Sequence, residues 1–137
     1  MLLSSAEPVS FRLSDSAPTP APCVFEHIYF ARPDSNIFGA NVDHVRRRLG
    51  RELALEAPAD ADIVISVPDS SNTAALGYSQ QSGLPYELGF IRNHYVGRTF
   101  IKPSSESRHF GVRVKFNPVR DIIAGQRIAV EIGRAHV

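Results

Sequence analysis

The apolar and polar positions divide the chain into short segments of alternating type. Val24–Phe30 (VFEHIYF) is rich in β-branched and aromatic residues and predicts a strand. It ends at Arg32-Pro33-Asp34-Ser35, a turn composition. Val42, Val45, Leu49 and Leu53 recur at helical spacing and predict a helix over 41–56 with one apolar face. Asn41 suits its N-cap, Asp43 the positive end of the helix dipole, and Pro58 its stop. Arg46, Arg47, Arg48 and Arg51 mostly lie off that stripe and read as a solvated face. Asp62–Val67 (DIVISV) is a nearly continuous apolar run, as in a parallel strand covered on both faces. A helix over 73–81 closed by Gly83, and a strand over 86–92, complete a βαβ unit with a right-handed crossover. Residues 93–115 predict a long mobile loop with a helical turn near 104–109. A strand or extended arm is expected around Val112–Phe116, and another buried strand starts at Gln126.

Composition narrows the class. A length of 137 residues is one domain's worth of chain, and 43% hydrophobic with 21% charged residues is ordinary for a soluble globular protein. Residues 1–22 are dominated by Ser, Pro and Ala and read as a tail or linker. One cysteine excludes an intrachain disulfide and any metal site built wholly from local thiolates. No apolar run approaches the ~20 residues of a membrane span. Met1-Leu2-Leu3 lacks the basic and apolar regions of a signal peptide. No membrane partner is expected, and the cytoplasm is the expected compartment.

The net charge of +1 excludes the strongly basic balance of a dedicated nucleic-acid binder. It also averages two unlike portions. Residues 1–91 carry six Lys/Arg against eleven acids, and residues 92–127 carry eight against two. The basic stretch favours a polyanion such as a phosphorylated small molecule; a solvated basic face is the alternative.

Two segments combine residues with binding chemistry. Pro68-Asp69-Ser70-Ser71 follows a buried strand and precedes a helix, where backbone N–H groups suit an anion. The Ser70 hydroxyl and Asp69 carboxylate are hard ligands of the kind Mg²⁺ takes. On spacing alone, Ser71 or Asn72 equally serves as a helix cap with nothing bound. In Asn93–Lys102, Arg98 and Lys102 suit phosphate and Gly97 a hinge, while Tyr95, Phe100 and Ile101 suit exclusion of water, so the stretch reads as a lid. The five histidines show no metal-ligand spacing, and Cys23 has no CxxC partner.

Four strings in this order carry a resemblance: CVFEHIYFARPDS from Cys23, VPDSS from Val67, GLPYELG from Gly83, and RNHYVGRTFIKP from Arg92. The chain resembles the amidophosphoribosyltransferases, also called glutamine phosphoribosylpyrophosphate amidotransferases, over about residues 22–130. The resemblance implies a type I phosphoribosyltransferase fold, incomplete here, with a mostly parallel sheet, flanking helices and a flexible loop over residues 23–130. It implies an enzyme, a glycosyltransferase, that makes 5-phosphoribosylamine from phosphoribosyl pyrophosphate and glutamine, the first committed step of de novo purine synthesis. Stretch 92–103 then matches a loop that closes over phosphoribosyl pyrophosphate and helps form an ammonia channel. Tyr95 and Ile101 match channel positions, and Arg98 and Lys102 lie in the closing loop. Ser70 matches a Mg²⁺-ligand position, and Cys23 matches one ligand of the [4Fe–4S] cluster of the family's iron–sulfur branch. A homo-oligomer is implied for the full-length enzyme.

The chain also departs from that pattern. No glutaminase nucleophile precedes Cys23, and the phosphoribosyl pyrophosphate signature expected after Val130 is replaced by Glu131–Val137 (EIGRAHV). Those seven residues match a translated sequencing-adapter read and are expected to be a non-native tail. No catalytic residue is therefore assigned, and the chain is expected to be an inactive fragment. A stand-alone phosphate- or nucleotide-binding module without catalysis is the alternative.

Overall fold

The computed structural model describes residue 11, residues 19–97 and residues 105–133, with side chains described from 109 onward in the last range. The centre is a parallel three-stranded sheet in the order β4-β3-β7: β3 (Ile63–Ser66), β4 (Tyr86–Glu87) and β7 (Ile128–Glu131). Val64 stands beside Tyr86 on one side and Ala129 on the other. All four β3 residues are buried, as the unbroken apolar run predicts for a central strand.

Helices α1 (Val42–Glu56) and α2 (Asn72–Ser82) cover one face of this sheet. The helix over 41–56 stands as expected, and Asn41 Oδ1 accepts the His44 N–H at 3.1 Å. Its buried face is not the expected one. Val42, Arg46, Gly50 and Ala54 are buried, whereas Leu49 and Leu53 are exposed. The cause is close helix packing. A methyl group at Gly50 would stand 1.9 Å from the Ala74 carbonyl oxygen, and one at Gly77 would stand 2.0 Å from that of Arg47. Small residues let the two backbones approach, and this contact overrides the leucine stripe. Tyr78 closes the far end: its hydroxyl donates to Ala57 O and accepts from Ala59 N, both at 2.9 Å.

The segment expected as a strand over 24–30 is instead a turn of π-helix, Glu26–Phe30. Its carbonyls have another partner. Arg46, 2% exposed, donates from Nε to His27 O at 2.7 Å and from an Nη to Ala31 O at 2.9 Å. Desolvation pulls the Arg46 pKa below its ordinary value, and Asp43 partly opposes it. The solvated reading thus fails for Arg46 and holds for exposed Arg48. A hairpin follows, β1 (Asn36–Ile37) and β2 (Ala40–Asn41). Phe38 and Gly39 both have positive φ, as a two-residue type I′ turn requires.

The strand expected over 86–92 divides at Leu88-Gly89. Its second part, β5 (Phe90–Arg92), leaves the main sheet and pairs antiparallel with β6 (Phe116–Pro118). Helix α3 (Ser105–Lys115) covers most of the span expected as an arm, so extended backbone begins only at Phe116. The four-residue α4 (Arg120–Ile123) leads back to β7. Among the described residues no helix is long and apolar enough to cross a membrane.

Two features fix the ends of β7. Arg127 binds both Asp60 and Asp62, with Nη to Asp62 at 2.7 Å, which holds the Asp62 carboxyl below its ordinary range. At the other end, Glu131 accepts the Gly133 N–H at 2.9 Å with one oxygen, and its other oxygen is buried without a partner. Burial raises its pKa. A raised carboxyl pKa means that the folded state resists ionisation, so stability falls as pH rises from the unfolded value through the folded one. Glu131→Leu is therefore expected to stabilise the dilute chain at pH 7 by ~1–3 kcal/mol, the cost of an unsatisfied buried group. The gain should shrink at pH 4, which paired urea melts at the two pH values will check.

Candidate functional site

The site lies at the carboxyl end of β3, where open parallel sheets place ligands. Val67-Pro68-Asp69-Ser70-Ser71 turns the chain from β3 into α2, and the Pro68–Asp69 peptide is cis. The loop is held from below. Val67 N donates to Glu131 O at 3.0 Å, and Ser71 Oγ donates to Val67 O. Ser66 Oγ stands 2.8 Å from both Asn72 Oδ1 and the Tyr86 hydroxyl. Gly133 packs close beneath, where a Cβ would stand 3.0 Å from Ser71 N.

These bonds remove both capping side chains. Ser71 and Asn72 were the candidates to cap α2, and neither does: Ser71 turns back to Val67, Asn72 bonds Ser66, and the N-cap has no side-chain bond. The first-turn N–H groups of an eleven-residue helix are left without a side-chain acceptor, an arrangement that suits an anion. A cation joins them. Arg92, at the end of β5, pairs with the Asp69 carboxylate, and its Nε is buried with no partner. Thr73 Oγ1, in the first turn of α2, is likewise buried and unpaired. The guanidinium and the first-turn N–H groups are donors of the kind an anionic oxygen takes.

The expected site residues fare differently. Ser70 is half-buried in this loop. Tyr95 is fully exposed on the turn after β5, where its N–H donates to Asn93 Oδ1 at 3.0 Å. The Asn93 N–H donates to Lys115 O at 2.7 Å, which ties the root of that turn to the end of α3. Arg98, Ile101 and Lys102 lie outside the described residues, so the lid expectation is not placed. Cys23 is exposed. The structure brings Ser70 near Asp69 and Arg92 and does not bring Cys23 to a second thiolate. Among the described residues no group of three His, Cys, Asp or Glu is arranged to hold a metal ion.

Sequence reasoning missed Arg92 and Thr73 as parts of the loop. Arg92 is 23 residues from Asp69, and no spacing rule joins them. A weak signal existed: Arg92 is the first cation of the basic stretch and ends the predicted strand of the same βαβ unit. Two of that stretch's cations, Arg92 and Arg127, are engaged in ion pairs within the fold.

Comparison with known proteins adds the following. No family model matches the chain. It is 55% identical over 114 residues to the amidophosphoribosyltransferase of Synechococcus elongatus, covering 83% of this chain and 23% of that protein. It is 53% identical over 113 residues to that of Mycobacterium tuberculosis, covering 82% and 21%. It is 51% identical over 115 residues to the chloroplastic soybean enzyme (Glycine max), covering 84% and 20%. The chain thus spans roughly a fifth to a quarter of these curated relatives. Among solved structures it is similar to the glutamine phosphoribosylpyrophosphate amidotransferase of Bacillus subtilis complexed with ADP and GMP. The TM-score is 0.67 at 54% identity, over 79% of this chain and 24% of that one. The α/β fold with a parallel sheet and flanking helices matches the corresponding region of that structure.

Proposed function

From a chain homologous over four-fifths of its length to amidophosphoribosyltransferases, we propose that it supplies the phosphoribosyl pyrophosphate-binding part of such an enzyme. The parent reaction is formation of 5-phosphoribosylamine from phosphoribosyl pyrophosphate and glutamine, in the first committed step of purine synthesis. One observation carries the residue-level reading. The α2 N-terminus, which has no side-chain cap, and the Arg92 guanidinium, paired with Asp69, both adjoin the loop at the carboxyl end of β3.

In this reading the diphosphate sits on the α2 N-terminus. The backbone N–H groups and Arg92 stabilise the negative charge that grows on pyrophosphate as its bond to the ribose breaks. Mg²⁺, when bound, neutralises diphosphate oxygens. Ser70 fits it as one hydroxyl ligand; Asp69, already paired with Arg92, is the weaker donor. The segment from Tyr95 through Arg98 and Ile101 to Lys102 closes over the site and keeps water from the reacting carbon. By the resemblance, Tyr95 and Ile101 match positions along the ammonia path, and Arg98 and Lys102 are cations of the closing loop suited to phosphate. A [4Fe–4S] cluster needs several thiolates, and this chain offers only the exposed Cys23, so no step here runs through one. The cytoplasm and a homo-oligomeric parent belong to the same proposal. A stand-alone nucleotide-binding module is not favoured, because the homologues are amidophosphoribosyltransferases.

Calorimetry on the 137-residue chain tests this division of labour. Phosphoribosyl pyrophosphate with Mg²⁺ is expected to bind weakly, with Kd on the order of 1 mM. Arg92→Gln should weaken it further, and no phosphoribosylamine should form. Micromolar binding without turnover would favour the stand-alone module, and turnover would contradict the reading.

A further inference from the structure

The loop from Val67 to Ser71 is bracketed by two polar residues, Ser66 at the end of β3 and Asn72 at the start of α2. Ser66 extends the apolar run Ile63-Val64-Ile65 and is 3% exposed. A hydroxyl buried there costs free energy unless it is bonded, a cost that alanine in its place would avoid. It is bonded twice. Its Oγ donates to Asn72 Oδ1 at 2.8 Å and stands 2.8 Å from the Tyr86 hydroxyl. A serine hydroxyl has one proton, and an amide oxygen can only accept. The Ser66 proton therefore goes to Asn72, and the Tyr86 hydroxyl donates to Ser66. The three groups form one directed chain of bonds, from β4 through β3 to α2. Its origin is anchored, because Tyr86 packs against the core formed by Ala54, Val64, Ala75 and Tyr78.

We propose that Ser66, Asn72 and Tyr86 are positioning residues that hold the Val67–Ser71 loop in its binding pose, an inference that rests on the reading of this loop as a diphosphate site. The bond between Ser66 and Asn72 closes the loop at its base. It also takes up the Asn72 oxygen, which is then not free to turn toward the first-turn N–H groups of α2. The bond within the loop, from Ser71 Oγ to Val67 O, fixes its shape but does not tie it to β4. The chain from Tyr86 does. A loop ordered before the ligand arrives spares binding the cost of ordering it. Loosening this clasp leaves every ligand contact possible but lowers the fraction of molecules ready to make them, so the apparent affinity falls by that fraction.

Amide exchange on the full chain reads the clasp without ligand. The N–H groups of Asn72 and Ala75 bond Asp69 O and Ser71 O at the base of the loop. Tyr86→Phe and Asn72→Leu should each speed exchange at positions 72 and 75 by about three- to tenfold, the loss of one hydrogen bond, and leave Gly50 in the middle of α1 protected. Titration with phosphoribosyl pyrophosphate and Mg²⁺, followed by amide chemical shifts, should show Kd raised by a similar factor in both variants. Ser79→Ala is the control for lost stability alone. It removes the bond from Ser79 Oγ to Leu84 O at 2.7 Å, elsewhere on α2, and should leave Kd unchanged. Asn72→Asp separates the clasp from the site. It keeps an acceptor for Ser66, so exchange should stay as in the wild type, but its charge at the start of α2 should repel the diphosphate. An Asn72→Asp chain that binds as well as the wild type, or a wild-type chain that does not bind, would sink the diphosphate reading, and exchange at positions 72 and 75 would still decide the clasp. Exchange unchanged in Tyr86→Phe and Asn72→Leu, or binding no weaker in them than in Ser79→Ala, overturns the proposal.

Discussion

Gly77→Ala is expected to abolish or nearly abolish cooperative folding. The added methyl would stand 2.0 Å from Arg47 O and 2.8 Å from Arg47 C, both backbone atoms. No rotamer change relieves a backbone clash, so α1 and α2 must move apart along their whole contact. That contact holds Val42, Ala54, Ala75 and Tyr78, half of the buried hydrophobic residues among those described. Overpacking costs ~1–3 kcal/mol where side chains can adjust, and more where they cannot. A domain with roughly 5–15 kcal/mol of total stability has little margin for that loss. Gly50→Ala, with 1.9 Å to Ala74 O, should behave alike. Gly97→Ala is the control, since a Cβ there meets nothing within 4 Å. In thermal melts the first two should lose ~10 °C or more, or show no transition, by the usual scaling of melting temperature with stability. A Gly77→Ala melt like that of the Gly97→Ala control would refute the packing account.

Arg46→Met is expected to release the π-helical turn from α1 and destabilise the chain by about 3 kcal/mol, from two charge-assisted bonds lost at a buried site. The methionine stem keeps much of the apolar contact, so the loss isolates the guanidinium. His27 O and Ala31 O would lose their donors together. Phe25, Tyr29 and Phe30 are already exposed, so chymotrypsin should cut there first in the variant. Arg46→Lys should rescue little, because an ammonium is a point donor while the guanidinium spans both carbonyls. Unchanged cleavage at 25–30 in Arg46→Met would mean that another contact holds the turn.

These two variants also mark what the sequence concealed. The helix over 41–56 was legible because Asn41, Asp43 and Pro58 are local signals, and each acts within a turn of its own position. Its orientation was not legible. Leu49 and Leu53 carry the stronger apolar signal, yet Gly50 decides the face through a partner 24 residues away, Ala74. The turn over 26–30 was misread because VFEHIYF has strand composition and its determinant, Arg46, looks like surface charge in sequence. The hairpin at 36–41 escaped notice, although Gly39 in a two-residue connection was its signal. The loop after β3 was legible as a strand end before a helix. Its chemistry was legible only in part, because Arg92 reaches Asp69 through the fold and not along the chain. The resemblance to the family is carried by whole strings, which preserve such long-range constraints without revealing them.

The proposed function requires this chain to work as the phosphoribosyl pyrophosphate-binding segment of an amidophosphoribosyltransferase. A chimera distinguishes the outcomes. The segment of the Bacillus subtilis enzyme similar to this chain, about 24% of that protein, would be replaced by the aligned residues of the present one. Formation of phosphoribosylamine would then be followed as a function of phosphoribosyl pyrophosphate. The account predicts a folded chimera with activity within about tenfold of the parent, a transition-state loss of about 1.4 kcal/mol or less. It also predicts that Arg92→Gln in this chimera raises the KM for phosphoribosyl pyrophosphate. A chimera that folds and binds nucleotide but makes no phosphoribosylamine would contradict it.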